Sequence, residues 1–312
     1  MDILLPVWNT FLVHPLLSLL VAAFDLFHDF GIAVVLVTFA IRLSLYPLYV
    51  TQIRSMRAQQ ELAPALADIK AKYGKDRQKV SEEQMKLYKE RGFNPAMGCL
   101  PLLLQMPILF AMYGAFLFFV PTSGNPPPDG VELANALWSF VPNPIGPGEH
   151  LDLTAHWLPW ITGGLGSHDP LFILPVLAGA TQLFASIMAQ PTNQAKTTDP
   201  QQKMMQSMAY YFPLITVFIA QGLPAGLGLY WIATTVFQIV QQYFVTGWGQ
   251  LPRFIPALAN IPSPADKTLR ARQQAAISEA ESDMRAKGAR PSEGPGAQTR
   301  KERRAAKLRR RR

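Results

Sequence analysis

Between residues 31 and 52, Arg42 is the sole charged side chain in an otherwise apolar run. A guanidinium near the centre of a membrane helix costs about 2.5–3.5 kcal/mol on insertion scales, so such a residue is either compensated or used. Thr38 and Tyr46 lie four residues to either side of Arg42, which places them on its face of one continuous helix. Two further polar rows repeat that spacing. One is Gln182, Ser186 and Gln190, and the other is Trp231, Thr235, Gln238 and Gln242. Any single Gln or Thr serves an interhelical hydrogen bond equally well. Three rows around one arginine point instead to a hydrophilic groove with a fixed positive charge. Its expected lining is Arg42, Thr38, Tyr46, Gln182, Ser186, Trp231, Thr235 and Gln238.

Other chemistries lack their residues. The histidines (His14, His28, His150, His156 and His168) show no H-E-x-x-H spacing, and the chain has neither a G-x-S-x-G elbow nor a P-loop. No Asp or Glu falls inside the apolar runs to act as a general base. We therefore expect no catalytic residues, no metal and no cofactor. Cys99 is alone and has no disulfide partner in the chain. The remaining concentration of charge is Arg300, Lys301, Arg303, Arg304, Lys307, Arg309, Arg310, Arg311 and Arg312, against Glu302. Such a block binds phosphate polymers by counterion release. The expected partners are the ribosome, through its RNA, and anionic lipids.

The elements that must position these residues are membrane helices. Hydrophobic residues make up 49% of the 312 and charged residues 16%, where a soluble domain carries roughly 25% charged. The sequence predicts an all-α membrane protein with five spans, at 31–52, 94–120, 170–190, 204–220 and 227–245. Each is near the ~20 residues a bilayer core demands. Gly222 and Pro224 break the chain between the last two.

Charge orients the spans. Of 29 Lys and Arg, ten fall between Arg54 and Arg91, two in the 191–203 connection, and sixteen from Arg253 onward. The 121–169 connection has none, but carries Asp129, Glu132, Glu149, Asp152 and Asp169. Basic loops stay in the cytoplasm. All three basic segments agree on one topology, N-terminus out and C-terminus in. The 121–169 connection is then external, and its prolines predict little regular structure.

Three segments complete the plan. Residues 1–30 include an apolar stretch with a polar stripe of His14, Ser18, Asp25 and Asp29, expected to be an interfacial amphipathic helix. Residues 53–93 read as a cytoplasmic helical hairpin with a turn at Tyr73–Asp76. In it, Ser81 and Gln84 would form a capping box for the second helix and Gly92 would cap its end. Residues 253–312 form a basic cytoplasmic tail.

The stretch Asn94-Pro95-Ala96-Met97-Gly98-Cys99-Leu100-Pro101, continued by Gln105-Met106-Pro107-Ile108, closely resembles the second-span signature of the YidC membrane insertases. Arg42-Leu43 to Tyr46-Pro47-Leu48 resembles that family's first span with its buried arginine, and Tyr230-Trp231 resembles its last span. The likeness covers roughly residues 10–250 and is to the short form, without a large periplasmic domain. It implies a bacterial plasma-membrane insertase and chaperone for nascent membrane proteins, acting alone or with the Sec translocon. By position, Arg42 would be the groove charge, Trp231 a groove aromatic and Gln182 a third-span contributor. A different class of reading is a secondary transporter or channel for a small anion bound at Arg42. Five spans and no internal repeat count against it.

The charge asymmetry makes a direct prediction. Single cysteines at Ser123 and Ser167 should react with an impermeant external maleimide, whereas cysteines at Ser55 and Ser278 should not. External labelling at Ser278 would overturn the five-span arrangement.

Overall fold

The computed structural model describes residues 4–74, 76–92, 100–120, 127–190 and 200–265. By internal contacts the chain divides into Met1–Ser263 and Pro264–Arg312, and all but two of the described residues belong to the first unit. The Arg300–Arg312 block, the 191–199 connection and the 94–99 part of the second-span signature lie outside the described residues.

Among the described residues the fold is helical, with one isolated bridge between Asp129 and His150 and no strand. The helices are α1 (Leu4–Trp8), α2 (His14–Phe27), α3 (Phe30–Ser44), α4 (Tyr46–Tyr73), α5 (Arg77–Glu90) and α6 (Leu100–Phe119). They continue with α7 (Gly130–Ala136), α8 (Ile173–Ala189), α9 (Pro200–Gln221), α10 (Ala225–Val245) and α11 (Leu251–Phe254). A π-helical stretch, Asn9–Val13, joins α1 to α2 without breaking the rod. One continuous helix among the described residues, Pro6–Phe27, is long and apolar enough to cross a membrane. The pair Phe30–Ser44 and Tyr46–Ala58 meets that test together, with a 70° bend between them. The apolar stretches Gln105–Phe119, Ile173–Ala189 and Ser207–Gln221 are shorter.

Two sequence expectations change here. Over 31–52 the chain is not one straight helix: it breaks at Leu45, and Pro47 opens α4. Proline suits a first helical turn because its missing N–H would be unpaired there anyway. The N-terminal polar stripe also dissolves. His28 takes a left-handed conformation (φ 51°) and ends α2, so Asp29 leaves that helix and caps the next. Ser18 is buried and its Oγ accepts the Trp138 N–H at 3.0 Å.

The predicted hairpin is present as α4 and α5, but Asp76, not Ser81, caps α5. Its carboxylate accepts the N–H groups of Gln78 and Lys79, both at 3.1 Å. An Asp nearer the turn satisfies the two first free donors and starts the helix a turn earlier. Gly92, at φ 60°, follows the last turn as expected.

The core gathers around α10, which touches α3, α4, α6, α8 and α9. Its first residues, Ala225 to Tyr230, are all buried, and several are small enough for close helix approach. The same device recurs in α8, where a Cβ at Gly179 would collide with Val217 of α9. Phe30 of α3 sets its ring edge-on to Phe116 and Phe119 of α6, at 5.9 and 5.6 Å between centroids. Such pairs add about 0.5–1.5 kcal/mol beyond burial.

The 127–172 connection is irregular, as its prolines predict, yet it is packed. Leu133, Leu158, Ile161 and Leu165 join the core. Leu165 carbonyl accepts the Gly226 N–H at 2.9 Å, and Ser167 carbonyl accepts the Ala225 N–H at 2.7 Å, so the connection caps one end of the bundle. Two buried carboxylates pin it there. Asp169 accepts the N–H groups of Leu171 and Leu174 at 3.0 and 2.7 Å. Asp29 accepts the Ile32 N–H at 2.8 Å, capping α3, and also the His156 N–H at 2.9 Å and the Trp157 indole N–H at 3.3 Å.

Burial alone would push the Asp29 carboxyl up, but the N–H donors of Ile32 and His156, with the His156 and Trp157 side chains, outweigh it and lower its pKa. Its contribution to stability is therefore complete above the ordinary carboxylate pKa near 4 and is lost as pH falls through the lower folded value. Asp29→Ala should cost about 1–3 kcal/mol, since cap and loop donors lose their acceptor together. Thermal unfolding in detergent, with Trp fluorescence as probe, should show the deficit at neutral pH and its disappearance at strongly acidic pH.

Candidate functional site

Arg42 sits in the last turn of α3, 5% exposed, just before the break at Leu45. Because the chain bends there, the residue that meets the guanidinium is Tyr49, one turn into α4. Arg42 Cζ lies 4.2 Å from the centroid of the Tyr49 ring, within cation–π range. Arg42 Nη2 donates to Gln105 Oε1 of α6 at a long 3.4 Å, and the Tyr49 hydroxyl donates to the same oxygen at 3.4 Å. Gln105 Nε2 in turn donates to the hydroxyl of Tyr230 of α10 at 2.9 Å. One amide thus ties α3, α4, α6 and α10 around the charge.

Every one of these partners is neutral. No carboxylate pairs with Arg42 among the described residues. A buried arginine held against one phenol ring and an amide oxygen, with no paired carboxylate among the described residues, keeps its field. Chemically, this arrangement can attract an acid or a polar backbone. It offers no nucleophile with a base and no metal-binding cluster among the described residues.

The predicted groove residues divide into three groups. Thr38 is buried beside Arg42 on α3, but its hydroxyl is spent on the Val34 carbonyl at 2.6 Å. Tyr46 lies beyond the break at Leu45, in the first turn of α4, and is 38% exposed. Gln182 of α8 and Thr235 of α10 do meet: Thr235 Oγ1 is 3.5 Å from Gln182 Oε1 and donates also to the Trp231 carbonyl at 2.8 Å. Trp231, Ser186 and Gln238 are half-buried on the same two helices.

Tyr49, Gln105 and Tyr230 were not selected as groove residues by spacing. Tyr49 is seven residues from Arg42, a spacing that keeps the same helix face two turns along. Gln105 and Tyr230 stand within the motifs quoted above for their family likeness, and their meeting at Arg42 is a tertiary fact.

Away from the capped end, α10 carries two consecutive buried glutamines. Gln241 Nε2 and Oε1, Gln242 Oε1 and Gln52 Nε2 of α4 are buried without a protein hydrogen-bond partner. Arg57 Nη1 donates to the Thr246 carbonyl at 3.0 Å, joining α4 to the end of α10 beside them. The capped end has its buried carboxylates satisfied, although Trp160 Nε1 and Gln221 Oε1 there also lack a protein partner.

The sequence model of the 60Kd inner membrane protein family matches residues 22–250. The chain belongs to that family. Membership makes it a protein of the bacterial inner membrane. It is 36% identical over 247 residues to the membrane protein insertase YidC of Alkalihalophilus pseudofirmus, covering 76% of this chain and 81% of that one. The insertase YidC of Fusobacterium nucleatum is 33% identical, over 71% of this chain and 88% of its own. Against the insertase YidC of Histophilus somni the identity is 36%, with 76% of this chain but 37% of the longer relative covered. A crystal structure of an active YidC insertase aligns with a TM-score of 0.46 and 26% identity, over 74% of this chain and 45% of that one.

Gln105 is the keystone of the cluster and can be tested without function. Gln105→Leu preserves volume but leaves Arg42, Tyr49 and Tyr230 each short of a partner. Unsatisfied buried groups of this kind cost about 1–3 kcal/mol. The expected result is a lowered unfolding temperature in detergent, partly restored by the double variant Gln105→Leu with Arg42→Met. An unchanged temperature for the single variant would show that the cluster carries no stability.

Proposed function

We propose that the protein is a membrane insertase and chaperone that passes polar segments of nascent membrane proteins through a hydrophilic groove at Arg42. The observation that carries this reading is a buried guanidinium with neutral partners only. The names of the relatives at 33–36% identity support it. The chain crosses the membrane five times, N-terminus outside and C-terminus in the cytoplasm, with the 127–172 cap external and the α4–α5 hairpin cytoplasmic. The bent pair α3–α4 and the helices α6, α8, α9 and α10 supply the crossings. The groove is lined by Arg42, Thr38, Gln182, Ser186, Trp231, Thr235 and Gln238 together with Tyr49, Gln105 and Tyr230.

The mechanism lowers a barrier and makes no bond. A polar chain entering hydrocarbon loses its hydration, and an unpaired amide alone costs about 2–7 kcal/mol. Free glutamine amides at the cytoplasmic end replace part of that hydration. Arg42 then holds an acidic or polar group partway across, which shortens the dry path to the outside. The membrane potential draws acids onward at about 2.3 kcal/mol per charge per 100 mV. Apolar segments leave sideways into lipid. The Arg300–Arg312 block recruits the ribosome or anionic lipid, and the Sec translocon shares some clients.

Two substitutions test the charge. Arg42→Ala should slow insertion of clients with acidic translocated tails more than of neutral ones, while Arg42→Lys should keep much of the activity. Gln105→Glu should hold the fold but mimic Arg42→Ala, because a neighbouring carboxylate cancels the field. Reconstituted vesicles and protease protection of the tail give the measurement. Normal insertion of every client by folded Arg42→Ala would remove the charge from the mechanism.

A further inference from the structure

The chain after α10 is built rather than trailing. Trp248 packs at a 54° tilt against Tyr243, with ring centroids 4.7 Å apart, and its indole donates to the Ile261 carbonyl at 2.9 Å. Gly249, at φ 52°, lies so close to the Met188 carbonyl of α8 that a Cβ would collide with it. Leu251 is buried, and the Leu251 carbonyl accepts the Ile255 N–H at 2.8 Å. Further turns follow, with Leu258 N–H to the Ile255 carbonyl at 3.0 Å and Ile261 N–H to the Leu258 carbonyl at 3.1 Å. Prolines 252, 256 and 262 stiffen the run.

This fixed strap turns apolar side chains outward. Phe254 is 54% exposed, Ile255 41% and Ile261 49%. Beside them stands Arg253, the sole charged residue from Met204 to Ala265. The chain that follows holds fifteen further Lys and Arg against six Asp and Glu. An exposed apolar stripe of α10, Val236, Val240 and Phe244, runs toward the end from which the strap departs. Apolar groups held just past a helix end, with positive charge beside them and an exposed apolar stripe on that helix, match the chemistry of an anionic bilayer surface.

We propose that Leu251–Ile261 is a surface anchor that seats Phe254, Ile255 and Ile261 in the anionic inner leaflet, with Arg253 at its headgroups. The strap fixes where the basic tail leaves the membrane. This rests on the cytoplasmic placement of the α10 end but not on any insertase activity, so it can fail while the insertion reading stands.

The test is nitroxide labelling of the full chain in nanodiscs, in a Cys99→Ser background with Phe254→Cys, Ile261→Cys or Asn260→Cys. Power saturation against oxygen and an aqueous nickel chelate reads depth. In phosphatidylglycerol discs, labels at 254 and 261 should lie about 5–10 Å below the phosphates and the label at 260 should remain in water. Adding Arg253→Gln should lower the ratio of docked to undocked label about fivefold in those discs, with no change in phosphatidylcholine discs. Equal nickel access at 254 and 260 in anionic discs would overturn the proposal. So would dipolar broadening of the 254 label in detergent, which would assign the face to a second copy of the chain. Because all three side chains are exposed, labelling leaves the fold intact.

Discussion

The structure turns on one constraint: a guanidinium must be kept among apolar helices without a counterion. At an effective dielectric of 20, a carboxylate at 4 Å would bind Arg42 by about 4 kcal/mol and erase its field. The protein uses weaker neutral contacts instead. The face of Tyr49 and the oxygen of Gln105 touch the cation, and Tyr230 holds that amide from behind. Such contacts tolerate the charge but leave it attractive to an incoming acid. They also demand a shape. Tyr49 reaches Arg42 because the chain breaks at Leu45 and α4 turns 70° away from α3. The bend is therefore part of the site, not a defect in a span.

A second asymmetry is that the buried carboxylates lie at one end of the bundle and a group of buried glutamines at the other. At the capped end, Asp29 and Asp169 each accept several N–H groups, and backbone carbonyls of the connection take up the first amides of α10. Trp160 Nε1 and Gln221 Oε1 at that end nevertheless lack a protein partner. At the other end, Gln52, Gln241 and Gln242 retain amide groups with no protein partner. On the proposed orientation, entry is from the cytoplasm, and the cap must yield or be bypassed sideways.

How much of this was legible depends on whether a feature is local. Arg42 was visible because one charge in an apolar run is a one-dimensional signal. The helical hairpin and its Tyr73–Asp76 turn were visible for the same reason, although the cap fell on Asp76, nearer the turn than Ser81. The spacing that sets Tyr46 beside Arg42 assumes a straight axis, and Leu45 ends that axis. Gln105 and Tyr230 could not be assigned to the cluster, since their meeting depends on how three helices rotate. The 127–172 connection teaches a subtler point. Proline content correctly predicts that it lacks long helices, but composition does not say whether an irregular chain is packed. Its buried Leu133, Leu158, Ile161 and Leu165 decide that in tertiary structure.

The position of α10 connects the charge to the rest of the bundle. Its first turns are small and apolar, so neighbours approach closely there and the capped end closes tightly. Further along come Thr234, Thr235, Gln238, Gln241 and Gln242, so the same helix becomes polar as it leaves the cap. Tyr230 stands at the change, holding the amide that touches Arg42. One helix thus grades the interior from dry to hydrophilic, with the charge at the boundary. On the proposed insertion path, a segment moving along that gradient would exchange water for amides and amides for the guanidinium before meeting apolar packing. Reversing the order of residues along α10 would keep its composition and hydropathy, yet set the amides against the cap and leave Arg42 facing a dry mouth.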